Sequence, residues 1–564
     1  MVASGFKVLI LGGYGMFGGR LAQLLADEHR LTLIIAGRSW TKAQAFCERL
    51  AAAAVPAVFD RGGDVERQLR ELTPAIMVDA SGPFQAYGHD PYRVVRTAIA
   101  LGINYVDLAD DADFVDGVTQ LDAQARERGV FALAGVSSFP VLTAAAVRKL
   151  AHGMARIDTV IGGIAPSPYA DVGLNVIRAI TSYAGKPVCM GIGDRRRPVG
   201  HALIDSRRFT IAPPGRVPLA PVRFSLVDVP DFKVLPRLWP NLQMIFMGVG
   251  PKPAIWHRAL SAFAWLVRLR ILPSLEPLAP LIHRVIRALR FGEHRGGMFI
   301  AVTGMDAGGE TIERSWHLLA EGDGGPFVPS MAAEAIIRNC LAGRRPASGA
   351  RAAANDLELA DYEPPFARRN ITTGCRQDRP CDERTPLYRR LLDEVWDGLP
   401  PALQQMHDFT REHVAEGLAI VDRGAGLLAR LIGWAVSLPR AGTDVPVTVV
   451  FRADAGGEYW KRTFGERSFG SIQEEGRGRF ERLLCERFGP FSLGIALAWD
   501  GAHLRLVLRR WAFAGIPMPP ALAPRLNAYE SVENGRFHFH VEIGHALTGL
   551  IVRYRGWLVP RVVD

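Results

Sequence analysis

Cysteine is scarce in this chain of 564 residues, which contains only six. The one close pair, Cys375 and Cys381, has neither a CxxC spacing nor a nearby histidine. Disulfide frameworks and cysteine-based metal sites need closely or regularly spaced cysteines. We therefore expect neither a metal site nor a fold held together by disulfides.

Long apolar runs and a secretory leader are also missing. No stretch reaches the roughly 18 charge-free apolar residues that a transmembrane helix needs. The first residues lead almost directly into a β-rich run, without a basic segment followed by an apolar stretch. We expect a cytoplasmic protein without a conventional transmembrane helix.

The composition is that of a globular protein, with 48% hydrophobic and 22% charged residues. The chain is longer than one hydrophobic core usually organises, which predicts several domains. A formal net charge of +10 and a pI near 9.5 favour anionic partners. Because no nucleic-acid-binding motif is present, we interpret the excess arginine as a solvated surface and expect no nucleic-acid partner.

The order of patterns along the chain predicts an α/β fold with several parts. Through about residue 135, β-rich runs alternate with helix-length segments, which is typical of a parallel sheet built from βαβ units. The predicted parts are a Rossmann-type doubly wound domain over 1–150, an α+β substrate or dimerisation domain over 151–325, a helix within about 325–350 that returns to the first domain, an aperiodic, proline-bearing linker over 352–384, and a mainly β domain over 385–564.

A glycine-rich loop follows the first predicted strand and opens the first predicted helix. Gly13, Gly15 and Gly18 satisfy the Gly-x-Gly-x-x-Gly pattern, in which glycines permit a tight turn and close approach to a diphosphate. Amides at a helix N-terminus also favour phosphate. We therefore predict a nucleotide-binding loop, and a glycine turn without nucleotide is the alternative. The loop residues are Gly12, Gly13, Tyr14, Gly15, Met16, Phe17 and Gly18.

The end of the second predicted strand indicates which nicotinamide cofactor is bound. An NAD site would place an acidic residue there, to bind the ribose 2′-hydroxyl. This chain has Arg38, Ser39 and Lys42 instead. Arg38 can face a 2′-phosphate, with a hydrogen bond from Ser39 and added charge from Lys42, so we predict NADP rather than NAD. An ordinary exposed helix start is the alternative.

A second cofactor loop is predicted after the fourth strand, in residues 78–88. The residues predicted to contact the ribose or the nicotinamide side are Ser81, Gly82, Pro83 and Phe84. Tyr87 and His89 are the nearest titratable groups and are our candidates for the proton donor, with a buried tyrosine and a surface histidine as the alternative. Asp107 and Asp110 end the next strand, where ligand contact and helix capping explain them equally.

Taken together, these motifs resemble the saccharopine dehydrogenase-like family. The resemblance implies a Rossmann domain that binds NADP, an inserted domain that shapes a substrate cleft, and a late helix that returns to the first domain. It does not identify the substrate. The motifs occur in order over about residues 5–350, at 12–22, 36–44, 79–88, 103–111, 134–147 and 322–335.

The C-terminal part resembles a bacterial domain of unknown function, DUF4166, that is often fused behind such reductase-like chains. The resemblance supports a domain boundary near residue 385 and implies no reaction. It is carried by residues 385–407, 421–442, 457–471 and 554–560.

Residues 254–291 interleave apolar side chains with arginines. Two helices, broken around Pro273 and Pro280, would lie in a membrane surface with the arginines toward anionic headgroups. A helical lid over the cleft or a homodimer face explains the same composition, and we favour that interpretation. Capture of a hydrophobic substrate fits both.

The leading hypothesis is an NADP-dependent oxidoreductase that transfers a hydride to or from a small carbonyl or imine compound. The alternative is a non-catalytic nucleotide sensor or a scaffold at the inner face of the membrane, with a C-terminal domain that binds a ligand. The intact glycine loop favours the enzyme, whereas the lack of a clear catalytic signature favours the alternative.

Overall fold

The structure is a computed structural model that divides into two compact units. Unit one comprises residues 1–209 and 222–373, and unit two comprises residues 210–221 and 374–564. The residues that the structure describes are 5–50, 52–192, 195–288, 290–377, 385–454 and 457–561.

The first part of unit one alternates short strands with helices. Strand β1 is buried from Val8 to Leu11, as expected for a parallel strand covered on both faces. The elements are β1 (Phe6–Leu11), α1 (Met16–Leu24), β2 (Leu31–Gly37), α2 (Trp40–Cys47), β3 (Ala54–Val58), α3 (Val65–Leu72), β4 (Ile76–Asp79), α4 (Arg93–Ala100), β5 (Asn104–Asp107), α5 (Ala112–Gly117), α6 (Asp122–Glu127), β6 (Phe131–Ala134) and α7 (Thr143–Leu150).

The second part of unit one has longer strands and fewer crossover helices. Its elements are β7 (Arg156–Ala165), α8 (Leu174–Ser182), β8 (Pro187–Ile192), β9 (Arg195–His201), β10 (Ser206–Phe209), β11 (Val222–Leu226), α9 (Asp231–Leu238), β12 (Met244–Val249), α10 (Ala254–Arg268), α11 (Ala279–Ala288), β13 (Arg295–Met305), β14 (Thr311–Glu321), α12 (Val328–Leu341), β15 (Gly349–Ala352), α13 (Glu363–Ala367) and β16 (Ile371–Gln377), whose residues from 374 onward belong to unit two.

Two seven-stranded sheets organise unit one. The first has the order β15-β6-β5-β4-β1-β2-β3, and its strands pair in parallel. Because β1 pairs with both β2 and β4, the strand order reverses at β1. Such a reversal opens a crevice at the carboxyl ends of the strands, where doubly wound folds bind ligands. The second sheet is mixed, with the order β10-β11-β12-β7-β13-β14-β16.

After the second sheet the chain rejoins the first. Helix α12 lies against α1, where the Ser330 hydroxyl donates to the carbonyl of Phe17 at 3.0 Å. The Arg338 guanidinium donates to the carbonyl of Leu24 at 2.9 Å. Strand β15 then pairs in parallel with β6.

The described part of the expected linker, residues 352–377, is folded. It contains α13, β16 and the buried side chains of Tyr362 and Phe366. The Arg148 guanidinium fixes this segment by donating to the Ala354 carbonyl at 2.7 Å and to Glu358 at 2.8 Å. The segment lacks periodicity because its turns are held by such long-range contacts. Residues 378–384 lie outside the described residues.

Unit two is mainly β. The elements are α14 (Leu387–Leu392), α15 (Pro401–His407), β17 (Glu412–Arg423), α16 (Leu427–Ala435), β18 (Gly442–Asp454), β19 (Gly457–Phe464), β20 (Arg467–Glu475), β21 (Leu484–Phe488), β22 (Phe491–Trp499), β23 (His503–Phe513), β24 (Ile516–Pro517), β25 (Arg525–Glu533), β26 (Arg536–His545) and β27 (Gly549–Pro560). The strands form an 11-stranded antiparallel sheet with the order β22-β21-β20-β19-β18-β17-β27-β26-β25-β23-β24, and pairing of β22 with β23 closes this sheet into a barrel.

This architecture confirms the predicted fold class, with a parallel Rossmann-type sheet, an α+β second part and a mainly β C-terminal part. Among the helices that the structure describes, none combines the length and the apolar character needed to cross a bilayer.

Candidate functional site

The turn between β1 and α1 requires glycine. Gly12 has a φ of +75°, and a Cβ there would lie 2.8 Å from the carbonyl oxygen of Ala80. A Cβ on Gly18 would lie 2.4 Å from the carbonyl oxygen of Gly12. A Cβ on Gly13 would lie 2.7 Å from the carbonyl oxygen of Ile10. The backbone therefore packs tightly against β1 and the end of β4, as the glycine pattern predicts.

The N-terminus of α1 has the properties of an anion site. Gly15 is the N-cap, no side chain caps the helix, and its first turn contains no acidic residue. The first amides of a helix lack intrahelical acceptors, and their partial positive charge attracts phosphate. This loop therefore fits the diphosphate of a dinucleotide.

A cleft of about 920 Å³ opens beside this loop, entirely within unit one. It combines the ends of the first-sheet strands with residues from the second part of the unit. Gly13 and Gly18 are not among the described wall residues, since they serve the packing of the turn. The predicted cofactor residues that line the cleft are Gly12, Tyr14, Gly15, Met16, Phe17, Arg38, Ser81, Gly82, Pro83 and Phe84.

The three residues predicted to bind the 2′-phosphate differ in their position relative to the cleft. Arg38 is exposed and lines the cleft. Ser39 is the N-cap of α2, and its hydroxyl accepts the Lys42 backbone N–H at 3.4 Å. The Ser39 backbone N–H donates to the Tyr14 hydroxyl at 3.1 Å, which connects the glycine loop to the end of β2. Ser39 and Lys42 are not among the described residues of the cleft wall.

Arg61 is a cleft residue that sequence reasoning missed. It follows β3, which lies beside β2 in the sheet, and its guanidinium carbon lies 3.7 Å from the ring centre of Tyr87. Its place after a parallel strand could have indicated it, because carboxyl ends of neighbouring strands meet at one edge.

A buried hydrogen-bond network lies at the end of β4. The carboxylate of Asp79 accepts the Ser81 hydroxyl at 2.6 Å, the Ser81 backbone N–H at 3.0 Å and the Tyr87 hydroxyl at 3.1 Å. Burial raises the pKa of Asp79, and burial together with the Asp79 charge raises the pKa of Tyr87. The network holds the loop of residues 78–88, which the sequence predicts to be a second cofactor loop.

The predicted proton donors lie outside the cleft wall. Neither Tyr87 nor His89 is among the described residues that line the cleft, and His89 is exposed to solvent. Asp107 is buried and accepts the backbone N–H groups of Ala109 at 3.0 Å and Gly135 at 2.8 Å, so it holds two loops in place.

Other titratable groups do line the cleft, among them Asp110, Tyr183 and Asp228. Asp110 accepts a hydrogen bond from Gln85 at 3.2 Å, and burial raises the pKa of its carboxyl group. Burial also raises the pKa of Tyr183 well above its usual value, and the charges of Asp110 and Asp228 add to this rise. No sequence signal marked Tyr183 or Asp228, because the fold alone brings them to the cleft.

The wall contributed by the second part of unit one is largely apolar. Such a wall, with a few polar groups, is typical of a small-molecule site. Its apolar residues include Ile164, Val172, Leu174, Val176, Val227 and Val249. Among the described residues, no group of three or more His, Cys, Asp or Glu side chains is placed to hold a metal ion.

Comparison with protein families divides the chain in the same way as its sequence motifs. Residues 8–133 match the saccharopine dehydrogenase NADP binding domain, and residues 399–558 match the domain of unknown function DUF4166. The two resemblances are confirmed over these residues. The first match also confirms the predicted NADP cofactor and oxidoreductase class. No curated protein matches the chain.

Several solved structures resemble the chain at low identity. Saccharopine dehydrogenase from Saccharomyces cerevisiae is 13% identical with a TM-score of 0.45, covering 66% of this chain and 100% of that one. A dehydrogenase from Chromobacterium violaceum is 10% identical with a TM-score of 0.31, covering 65% and 93%. Biliverdin reductase from Synechocystis is 12% identical with a TM-score of 0.28, covering 61% and 92%. Likeness at this level does not bear on the substrate.

Proposed function

We propose that unit one is an NADP-dependent oxidoreductase that acts on a small, largely apolar carbonyl or imine compound. The observation that carries this proposal is the glycine turn beside an uncapped helix N-terminus, which opens into a cleft at the reversal of the strand order. These features suit a dinucleotide, and the apolar wall of the cleft is left to contact the substrate.

Each part of the cleft has a distinct role in this proposal. The amides at the start of α1 bind the diphosphate, and Arg38 with Arg61 attracts the 2′-phosphate. The bound nicotinamide supplies the hydride. The apolar wall excludes water and orients the substrate.

For the proton we favour Tyr183, because it lines the cleft. Its raised pKa keeps the phenol protonated at neutral pH, so its hydroxyl can donate a hydrogen bond to the substrate acceptor atom. Asp110 is the second candidate, because it also lines the cleft and burial raises the pKa of its carboxyl group. Tyr87 and His89 stay predictions from the sequence.

Cofactor binding is tested by titrating the full chain with NADPH and NADH and following nicotinamide fluorescence. We expect saturable binding with preference for NADPH. Gly15→Val should abolish it, because Gly15 lines the cleft and its backbone is extended, so the added side chain enters the phosphate site. Gly63→Ala is the control, since a Cβ there meets nothing closer than 3.5 Å. Equal binding by both variants would refute the proposal.

A second candidate function is attachment to an anionic membrane surface through α10, α11 and their connection. Large apolar side chains are exposed along this segment, including Ile255 at 64%, Leu269 at 61% and Ile271 at 64%. Arg258 and Arg284 are exposed among them. Apolar residues flanked by arginines suit insertion between anionic headgroups. The lid and the dimer face remain the alternatives.

Flotation of the full chain with vesicles tests membrane attachment, and light scattering tests the dimer face. We expect binding to vesicles that contain phosphatidylglycerol and much weaker binding to phosphatidylcholine vesicles. Ile255→Ser with Leu269→Ser should release the protein, whereas Trp40→Ser, which changes an apolar side chain that is 51% exposed elsewhere in unit one, should not. If the double variant instead halves the mass in light scattering, the segment is a dimer face.

A further inference from the structure

The barrel of unit two encloses a cavity of about 570 Å³. Known small-molecule sites have volumes of roughly 300–1,000 Å³ and mostly apolar walls. The wall here is formed by aliphatic and aromatic side chains, among them Val449, Phe451, Ile495, Leu506 and Phe537. A cavity of this size inside a closed sheet suits an apolar ligand.

Two buried polar groups in the cavity wall have no hydrogen-bond partner among the residues that the structure describes. Gln473 is 1% exposed, and its Nε2 donates to Glu486 at 3.3 Å, but its Oε1 has no partner among the described residues. Tyr388 is fully buried, and its hydroxyl likewise has none. An unpaired buried polar group costs about 1–3 kcal/mol. A ligand that carries a hydroxyl group can pair with either of them.

The charged groups of the wall are already compensated. Arg462 donates to Glu486 at 3.1 Å and to the Ser471 hydroxyl at 2.8 Å. Glu530 pairs with His407 at 2.8 Å. Burial lowers the pKa of His540, which disfavours a positive charge on its imidazole. Because the other charged groups are paired and His540 disfavours a charge, the wall favours a neutral ligand over a carboxylate.

The cavity reaches the surface beside α16. Leu428, 56% exposed, and Leu547, 80% exposed, both line the cavity, so they mark its mouth. On the same helix, Leu427 and Trp434 are exposed by 84% and 70%. An apolar chain that enters here remains in contact with apolar side chains along its path.

From these observations we infer that the barrel binds a neutral lipid-like molecule with a long apolar chain and a hydroxyl group, which hydrogen-bonds to Gln473 or Tyr388 inside the cavity. The cavity is built from unit two alone, so this inference does not depend on the cofactor site.

The first test uses the full chain and the neutral fluorescent probe N-phenyl-1-naphthylamine. We expect the bound probe to be displaced by dodecanol at a concentration about tenfold lower than that of dodecanoate at pH 8, because Arg462 is already paired with Glu486 and the described wall would leave a buried carboxylate uncompensated. Displacement by dodecanoate at equal or lower concentration overturns the preference for a neutral ligand.

Variants then locate the bound probe. Ala528→Trp fills the cavity and should abolish probe binding, with Val449→Phe as a second filling variant if the first does not fold. Leu418→Trp is the control, because Leu418 is 37% exposed and lies outside the described cavity wall. Undiminished probe binding by a folded cavity-filling variant overturns the inference.

Tyr388→Phe and Gln473→Leu test the polar contact. Tyr388→Phe removes a hydroxyl without a partner among the described residues, so the melting temperature should not fall. If Tyr388 or Gln473 binds the ligand hydroxyl, the affinity for dodecanol falls severalfold in that variant while probe binding is kept. Unchanged dodecanol affinity in both variants overturns the assignment of the hydroxyl contact.

Discussion

At the scale of single residues, Arg38 and Arg61 are the two basic side chains that line the cleft after β2 and β3. Arg61 already stacks on the ring of Tyr87, whereas Arg38 is exposed. Arg38→Ala should therefore weaken NADPH binding about tenfold, as expected for a charge-assisted phosphate contact, and change NADH binding by less than about twofold. Titration of the full chain with each nucleotide measures the difference.

Arg49→Ala is the matched control, since it removes one exposed arginine that follows α2 and is not among the described cleft residues. Arg61→Ala should have a smaller effect than Arg38→Ala. An equal loss of NADPH and NADH affinity in Arg38→Ala would contradict its assignment to the 2′-phosphate.

Asp107 gives unit one an unusual dependence of stability on pH. Burial raises its pKa to about 7, although hydrogen bonds from two backbone N–H groups oppose this rise. The ordinary carboxyl pKa is about 3.9, so the folded state binds more protons than the unfolded state between about pH 4 and 7. Stability from this group is therefore present at low pH and is lost as pH rises through about 7.

We expect the melting temperature to fall between pH 5 and pH 8, and to fall less in Asp107→Asn, whose side-chain oxygen still accepts both N–H groups. Burial also raises the pKa of Asp231 to about 7. Asp231 should therefore still cause part of the decrease in melting temperature in the Asp107→Asn variant. Asp64→Asn, which retains a cap for α3, is the control. A steeper fall in Asp107→Asn than in the parent would contradict the assignment.

Residues constrained by the backbone could be predicted from the sequence, whereas residues placed by the fold could not. The glycines of the β1–α1 turn follow from the local geometry that they permit, and Arg38 follows from its position after β2. Tyr183 and Asp228 come from other elements and reach the cleft only because the second part of unit one packs beside the first. Their sequence neighbours contain no pattern that indicates this.

At the scale of elements, strong periodicity predicted the alternation of β1–β6 with helices. Some short elements, however, were not predicted from the sequence. Strand β15, with the sequence Gly-Ala-Arg-Ala, contains no β-branched residue and is recognised only by its pairing with β6. The folded structure of residues 352–377 was not predicted either, because buried aromatic rings and Arg148 hold the short turns of this segment.

Because Arg148 contacts the folded segment 352–377, we expect Arg148 to stabilise it. Arg148→Ala removes its hydrogen bonds to the Ala354 carbonyl and to Glu358. Since hydrogen bonds of charged groups contribute about 1.5–3 kcal/mol each, the segment should open more often and be cleaved severalfold faster in limited proteolysis. Peptide mapping should place the new cuts within 352–377.

Lys149→Ala is the control for Arg148→Ala, because Lys149 is an exposed neighbour on α7. Cleavage at the same rate in both variants would contradict a stabilising role of Arg148 and would support the linker expected from the sequence.

At the scale of the whole molecule, each of the two large cavities is built from residues of one unit. The cleft of unit one has the features of a cofactor site, and the apolar wall of the barrel cavity in unit two contains two polar groups that have no partner within the described part of the chain. Family similarity follows the same division, with one match in each unit. The ligands that we propose for the two units are therefore chemically different.

Hydrogen exchange of the full chain tests this division. NADPH should slow exchange in peptides from the β1–α1 turn and from the ends of β2 and β4, because ligand contact suppresses local opening there. Dodecanol should slow exchange in β19, β20 and α16 instead. Protection of the barrel strands by NADPH at the same level as the glycine turn would contradict separate sites, and protection in neither unit would contradict both proposed ligands.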